Sequence, residues 1–176
     1  YLKEKLAGHL RILPENLRIS NGSSDLILLL GIAFLNPEDT FIMSQSSCIM
    51  AKIVTQMMGC RLVEVPLKEY HHDLDAIFKS ITPDTKIVYL DNPMNPIGTM
   101  VKHDEISKFV GELPEDIVLV LDEAYHDYVT VGGFPKSWGF IEDGRNVIML
   151  RTFSKMYGLA GFRVGYGVAK REFIRA

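Results

Sequence analysis

An asparagine, an aspartate and a lysine stand just beyond three separate runs of apolar residues. Asn95 follows the run KIVYL, Asp122 follows IVLVL, and Lys155 follows NVIML. Because ligands bind beyond the carboxyl ends of the strands in a parallel sheet, we expect these three side chains to converge. A reaction between a lysine amine and a carbonyl compound is therefore the first function to consider.

Lys155 is the candidate nucleophile of this set. An amine that attacks a carbonyl must be partly neutral, which requires that burial or nearby positive charge lower its pKa. Large neighbouring side chains would supply the burial, and Arg151 and Arg163 would supply the charge. A lone lysine is usually a surface residue. The place of Lys155 between a buried strand and a glycine-rich run nevertheless favours a functional role.

Asp122 directly follows five apolar residues. An acid at the end of a buried strand is unfavourable unless it is paired. A cationic pyridinium nitrogen would be such a partner, and an aspartate there would keep the ring protonated as an electron sink. Tyr125 comes three residues later, so one turn could direct both side chains at one ligand. Capping of the following turn is the structural alternative for Asp122.

Asn95 lies in a turn bounded by Pro93 and Pro96. The two prolines restrict the backbone, which suits a side chain that must be held in place. An ordinary structural turn explains the same motif equally well.

A helix start offers a second kind of site, because free backbone N–H groups there bind anions. We call the expected site the anion cup. Its first side consists of Gly22, Ser23 and Ser24. The expected second side consists of Thr152, Ser154 and Arg163. For either serine alone, an ordinary helix N-cap is the structural alternative.

His71, His72 and Asp73 resemble part of a metal site. No further ligand stands at a suitable spacing, so we expect no metal. Asp73 is instead expected to cap a short helix at residues 73–80.

The bulk properties of the 176-residue chain narrow the range of partners. A net charge of -3 gives no reason to expect nucleic acid or an anionic membrane surface. The longest apolar stretch, residues 26–35, is too short to span a bilayer. Cys48 and Cys60 make no disulfide framework, which fits a reducing compartment and hence the cytoplasm.

The elements that must position these residues alternate between strand and helix. The predicted strands are residues 40–43, 61–65, 86–90, 117–121, 146–150 and 163–168. The predicted helices are an opening helix ending near Pro14 and residues 26–35, 49–58, 73–80 and 103–110. Residues 26–35 are apolar on nearly all sides, which indicates a buried helix, and residues 130–144 are expected to form a surface excursion. The alternation predicts an α/β fold with a mostly parallel sheet.

Several motifs together resemble the class I/II pyridoxal-phosphate aminotransferases of fold type I, and within them the histidinol-phosphate aminotransferases. The lysine motif RTFSKMYGLAGFRVGY carries most of the resemblance. The other matching segments are PENLRISNGSSDLI, VPLKEYHHDLDAI, NPMNPIGT and DEAY, in that order. The resemblance covers the whole chain and implies a three-layer α/β/α large domain at residues 1–176, with a mostly parallel, mixed sheet.

The resemblance also implies roles for individual residues. Lys155 would bind pyridoxal 5'-phosphate as a Schiff base, and Asp122 would pair with the pyridine nitrogen. Asn95 and Tyr125 would hydrogen-bond the phenolic oxygen of the ring. The residues implied for the phosphate are Gly22, Ser23, Ser24, Thr152, Ser154 and Arg163.

One segment, SQSSCIMA, departs from the family pattern. Cys48 stands where the family usually has an aromatic residue that stacks on the cofactor ring. Loss of that ring would weaken cofactor binding by about 1 kcal/mol.

The implied reaction is transamination between histidinol phosphate, or a related amino-group donor, and a 2-oxo acid such as 2-oxoglutarate. The implied setting is histidine biosynthesis by a cytoplasmic homodimer. An N-terminal segment and a small C-terminal domain, which would carry the carboxylate-binding arginine, are expected to lie outside this chain. The alternatives are a phospho-amino-acid decarboxylase of the same fold and a cofactor-binding regulatory domain without turnover.

Overall fold

The computed structural model describes residues 1–176, which form seven strands and seven α-helices. The strands are β1 (Leu17–Ser20), β2 (Thr40–Ser44), β3 (Arg61–Val65), β4 (Thr85–Asp91), β5 (Val118–Asp122), β6 (Val147–Thr152) and β7 (Gly165–Val168). The helices are α1 (Leu2–Leu10), α2 (Ser23–Phe34), α3 (Ile49–Met58), α4 (Leu74–Lys79), α5 (His103–Glu112), α6 (Ser137–Glu142) and α7 (Arg171–Arg175). None of these helices combines the length and the apolar character that crossing a membrane requires.

All seven strands belong to one sheet, in the order β1-β7-β6-β5-β4-β2-β3. The strands β2 to β6 run parallel to one another, whereas β7 is antiparallel to β6 and β1 is antiparallel to β7. The apolar runs of β4, β5 and β6 account for their central position, because such strands must be covered on both faces.

Helices cover both faces of the sheet and enclose two apolar clusters. The cluster on one face takes in Leu6 of α1, Ile77 of α4, Ile106 of α5 and Phe140 of α6. The cluster on the other face takes in Leu26 of α2 and Val54 of α3, with the half-buried Phe173 of α7 packed against it. The predicted three-layer α/β/α fold with a mostly parallel, mixed sheet is thereby confirmed.

The register of the parallel strands places the polar ends of three strands at one edge. Asp91 at the end of β4 pairs with Asp122 at the end of β5. Asp122 in turn pairs with Leu150 of β6, so the segment that carries Lys155 leaves the sheet at the same edge. The strand ends therefore converge as the apolar runs predicted.

The opening helix is shorter than predicted. α1 ends at Leu10 rather than near Pro14, because Arg11 adopts the left-handed conformation and its N–H bonds to carbonyls of the last turn. Leu13, the last apolar residue of the predicted helical pattern, is 66% exposed as a result.

Two other predicted elements are corrected by the structure. α2 begins at Ser23 and is not buried on all sides, since Ile32 is 62% exposed. The last predicted strand, residues 163–168, begins only at Gly165, because Arg163 has a left-handed φ of 52° that ends a short 3-10 turn. The sequence pattern also gave no indication of β1, which has only four residues and pairs with β7.

Residues 130–144 are not simply a surface excursion. They contain α6, whose residues Ser137, Phe140 and Ile141 are buried against the sheet. Phe140 also stacks on the ring of His103 at a centroid distance of 5.5 Å. The glycines and the proline of this segment predicted irregular structure, but the segment contains a short helix with three buried residues.

β7 and the start of α2 approach each other closely at Gly165. A Cβ atom on Gly165 would lie 2.5 Å from the carbonyl carbon of Gly22 and 2.6 Å from the nitrogen of Ser23. Both atoms belong to the backbone and cannot rotate away. We therefore expect Gly165→Ala to lower the free energy of unfolding by about 1–3 kcal/mol, measured by urea denaturation.

Gly167→Ala on the same strand is the matched control. Its added Cβ would lie 3.4 Å from the flexible Leu26 side chain, which is ordinary contact. Equal losses of stability in the two variants would contradict the close approach at Gly165.

Candidate active site

The Asp122 carboxylate is buried at the carboxyl end of β5, with 5% of the residue exposed. The Tyr89 hydroxyl donates to Asp122 Oδ2 at 2.7 Å, and the Ala124 N–H donates to Oδ1 at 3.1 Å. Burial raises the pKa of Asp122 to about 6, and the nearby Asp91 charge adds to the rise. Asp122 thus caps the next turn through Ala124, but no ion pair of the chain neutralises it. The carboxylate is therefore suited to a cationic ligand.

Lys155 lies on the turn after β6, with its ammonium over the ring of Tyr125. The nitrogen is 5.1 Å from the ring centroid, within the range of a cation–π contact. Since Tyr125 follows β5 and Lys155 follows β6, the contact joins the ends of two neighbouring strands. The structure therefore brings Lys155, Tyr125 and the end of β5 together.

The predicted surroundings of Lys155 are wrong in two respects. The side chain is exposed within this chain, because Met156 and Tyr157 point outward and only Phe153 packs on the core. Arg151 does not direct its charge at the lysine either. Its guanidinium donates to Glu123 Oε2 from Nε at 2.9 Å and from Nη2 at 2.7 Å.

Glu123 is a further buried acid that sequence reasoning missed. Besides Arg151, it accepts a hydrogen bond from the hydroxyl of Ser137 in α6. Burial raises the pKa of Glu123, while the Arg151 charge opposes that rise. A buried ion pair with its hydrogen bonds satisfied ties β6 and α6 to the segment after β5. The motif DEAY contained the signal, but only its first acid was assigned a role.

Buried polar groups fix the turn that carries Asn95. Asp91 Oδ2 accepts the Asn95 backbone N–H at 2.8 Å, and Asp91 Oδ1 accepts the Ser47 hydroxyl. The Asn92 side chain exchanges two hydrogen bonds with the Val101 backbone, at 3.0 and 2.9 Å. The half-buried side chain of Asn95 itself remains available to a ligand.

His72, in the segment between β3 and α4, supports this turn and also contacts the end of β2. Its Nδ1 lies 2.7 Å from Ser44 Oγ, and its Nε2 lies 2.9 Å from the Asp91 carbonyl oxygen. Nε2 is also 3.6 Å from Asp91 Oδ1. The contact joins residues far apart in the chain, so no local motif could have revealed it.

The start of α2 and Arg163 form the two sides of the expected anion cup. Gly22 precedes α2 with a φ of 87°, and neither Ser23 nor Ser24 caps the helix with its side chain. The Arg163 guanidinium rests against Gly22, because a Cβ atom there would lie 2.5 Å from Nη2. Free N–H groups at a helix start beside a guanidinium make a site for an anion.

The end of β6 lies next to this cup. Thr152 pairs with Gly165 across the β6–β7 ladder, and Gly165 in turn packs on the backbone of Gly22. The Thr152 hydroxyl donates to Ser154 Oγ at 2.9 Å and accepts the Ser154 N–H at 3.1 Å. Thr152 therefore holds the turn that leads through Ser154 to Lys155.

Cys48 directly precedes α3 and packs half-buried against the apolar cluster under that helix. Burial raises the pKa of its thiol, and the Asp122 charge adds to the rise. Cys48 thus lies near the buried carboxylate, although it is distant from it in sequence.

The arrangement can bind a small ligand through three different groups. The cup suits an anion, Asp122 suits a ring cation, and the Lys155 amine can attack a carbonyl carbon. All of the sequence-predicted site residues lie at or beside the same edge of the sheet.

The chain matches known proteins along its whole length. The family model "Aminotransferase class I and II" matches residues 1–176. The histidinol-phosphate aminotransferase of Moorella thermoacetica is 45% identical over 176 residues, which cover 99% of this chain and 46% of that protein. The chain thus spans about half the length of the curated relatives it matches.

Solved structures share the fold. The histidinol-phosphate aminotransferase of Sinorhizobium meliloti, solved in complex with pyridoxal-5'-phosphate, superposes with a TM-score of 0.93 at 32% identity, covering 99% of this chain and 47% of that chain. The L-threonine-O-3-phosphate decarboxylase of Porphyromonas gingivalis superposes with a TM-score of 0.83 at 22% identity, covering 99% and 50%. The second likeness shows the fold alone, so it does not favour the decarboxylase alternative.

The raised pKa of Asp122 predicts a dependence of stability on pH. Between its ordinary pKa of 3.8 and about 6, rising pH ionises this carboxyl more readily in the unfolded than in the folded state. Stability from this group is therefore lost as pH rises through that window. We expect Asp122→Asn to stabilise the ligand-free protein by about 1–3 kcal/mol at pH 8 and by almost nothing at pH 4.

Urea denaturation of the ligand-free protein at both pH values measures this difference. Asp116→Asn is the control, because Asp116 is exposed. A variant at position 122 that gains no stability at pH 8 would show that ionised Asp122 is not unfavourable in the folded state.

Proposed function

The chain belongs to the class I and II aminotransferase family, and on that basis we propose that the protein carrying it is a pyridoxal-phosphate-dependent transaminase. The observation that carries this proposal is the meeting of Lys155, Asp122 and the anion cup at one edge of the sheet. A regulatory domain without turnover would have no need for a lysine amine at the same end of the sheet as a buried carboxylate that no ion pair neutralises.

The proposed substrates are histidinol phosphate, or a related amino-group donor, and a 2-oxo acid such as 2-oxoglutarate. The 45% identity with a histidinol-phosphate aminotransferase supports this choice and a place in histidine biosynthesis. We place the protein in the cytoplasm and expect it to act as a homodimer, with neither nucleic acid nor membrane as a partner.

The residues present fit pyridoxal 5'-phosphate. Its phosphate matches the cup of Gly22, Ser23, Ser24, Thr152, Ser154 and Arg163. When bound, this cofactor supplies an aldehyde that takes up amino groups and a ring that accepts electrons. The buried carboxylate of Asp122 would hold the ring nitrogen in its protonated form. Tyr125 and Asn95 would hydrogen-bond the phenolic oxygen, and Cys48 would lie against one face of the ring.

Lys155 has two successive tasks in this proposal. Its amine would hold the cofactor at the aldehyde carbon, and an amino-group donor would take its place there. Once free, the same amine would act as the base that accepts the proton of the substrate's alpha carbon. The hydroxyl contacts of Thr152 and Ser154 keep the turn that carries this amine in place.

The assignment of Lys155 predicts a single site of covalent labelling. Borohydride reduction of the cofactor-loaded protein, digestion and mass spectrometry should place the pyridoxyl group on Lys155. Lys155→Ala should abolish transamination, since the removed amine is both the attachment point and the proton carrier. The product assay follows amino transfer and carbon dioxide release side by side.

Lys136→Ala is the control for this experiment, because Lys136 is exposed and follows no strand of the site. Label on another lysine would overturn the assignment. Release of carbon dioxide without amino transfer would replace the transaminase with the decarboxylase alternative.

The anion cup predicts that Arg163 governs cofactor affinity through the phosphate. Charge-assisted hydrogen bonds contribute about 1.5–3 kcal/mol each. Because Arg163→Ala removes about one such bond to the phosphate, it should raise the Kd for pyridoxal phosphate by roughly tenfold or more. Affinity for pyridoxal, which lacks the phosphate, should change little. Arg171→Ala, which removes the same charge from an exposed position, serves as control. Equal losses for both ligands would contradict the placement of the phosphate.

A further inference from the structure

The buried hydroxyl of Tyr89 is the one side-chain donor that reaches Asp122. Tyr89 is 1% exposed and donates to Asp122 Oδ2 at 2.7 Å. The other hydrogen bond to this carboxylate comes from the backbone N–H of Ala124. Tyr89 and Asp122 lie on adjacent parallel strands, so the sheet itself fixes the distance between them.

Other groups around Asp122 act against its negative charge. Asp91 at the end of β4, Glu123 next in the chain and Cys48 before α3 all lie near it, and none of them is a cation. Glu123 forms an ion pair with Arg151, whereas the only basic side chain in such contact with Asp91 is His72, whose Nε2 lies 3.6 Å from Asp91 Oδ1. The Tyr89 hydroxyl is therefore the main side-chain contact that favours the ionised form of Asp122.

We propose that Tyr89 is a positioning residue for the cofactor ring: its hydroxyl orients the Asp122 carboxylate and keeps it ionised to receive the ring nitrogen. This inference rests on the proposed function and assigns a role to a residue outside the proposed cofactor contacts. Burial and the Asp122 charge raise the pKa of Tyr89 well above its ordinary value, so the phenol remains a donor throughout the working pH range.

The rigidity of Tyr89 fits this role. Its ring is packed in the apolar cluster under α2 and α3, with the Phe41 ring at a centroid distance of 6.1 Å. A buried phenol that cannot rotate away delivers its hydrogen bond in one direction. Asp122 is thereby held in one orientation before any ligand arrives, which spares the ligand the entropy of ordering it.

The pH at which cofactor affinity falls off tests the proposal. Below the pKa of Asp122 its carboxyl is neutral, so a cationic ring must displace a proton in order to bind. Tyr89→Phe removes a donor that favours the ionised form, so it should move the midpoint of the affinity–pH curve upward by about 1–2 pH units. The Kd for pyridoxal phosphate is measured from pH 5 to 9 in the full-length protein.

Two further variants separate this role from simple packing. Asp91→Asn removes a like charge beside Asp122 and should move the midpoint downward, opposite to Tyr89→Phe. Tyr166→Phe is the matched control, because Tyr166 is also buried but its hydroxyl lies near Arg151 rather than near Asp122. It should leave the midpoint unchanged. A loss of affinity in Tyr89→Phe that is equal at all pH values would overturn the proposal and leave Tyr89 a packing residue.

A second measurement keeps this inference independent of the proposed function. Carbon NMR of the ligand-free protein, with labelled aspartate, follows the titration of the Asp122 carboxyl directly. Its midpoint should rise in Tyr89→Phe and stay in place in Tyr166→Phe. If the unaltered protein binds no pyridoxal phosphate, the proposed function fails. The NMR titration still decides whether Tyr89 controls Asp122, and an unmoved Asp122 signal would overturn the inference.

Discussion

The burial of two carboxylates side by side is the constraint on which the site depends. The register of β4 and β5 sets Asp91 opposite Asp122, and both residues are almost fully buried. Neighbouring buried charges of like sign are tolerated only when donors surround them. Tyr89 supplies such a donor to Asp122, while Ser47 and the Asn95 backbone supply donors to Asp91. The loops after the strands are therefore held in place by the need to satisfy these acids.

Some polar residues near the site hold the loops in place, whereas others remain available to a ligand. Arg151 donates two hydrogen bonds to Glu123 Oε2, so neither residue is available to a ligand. Asn95 and Lys155 lie on turns that hydrogen bonds of neighbouring residues hold in place. The turns that carry the reactive groups are thus fixed at their base, as preorganised catalysis requires.

The anion cup depends on the absence of side chains rather than on their presence. Gly22 turns with a φ of 87° beneath the Arg163 guanidinium, and Gly165 lets β7 touch the start of α2. Any larger residue at either position would separate the helix start from Arg163. Backbone N–H groups and a guanidinium can then face the same anion.

The sequence by itself determined the fold class and the end of the sheet at which most candidate site residues gather. Continuous apolar runs predicted the central parallel strands, and the residues after them predicted Asn95, Asp122 and Lys155, because both signals are local in the chain. The edge strand β1 and the buried helix α6 escaped prediction, since each is too short to show a period and is stabilised by its neighbours. Only the tertiary structure decided the contacts of Tyr89, His72 and Glu123. Their hydrogen bonds connect different strands and helices, and the energy of such contacts depends on a burial that no local sequence pattern records.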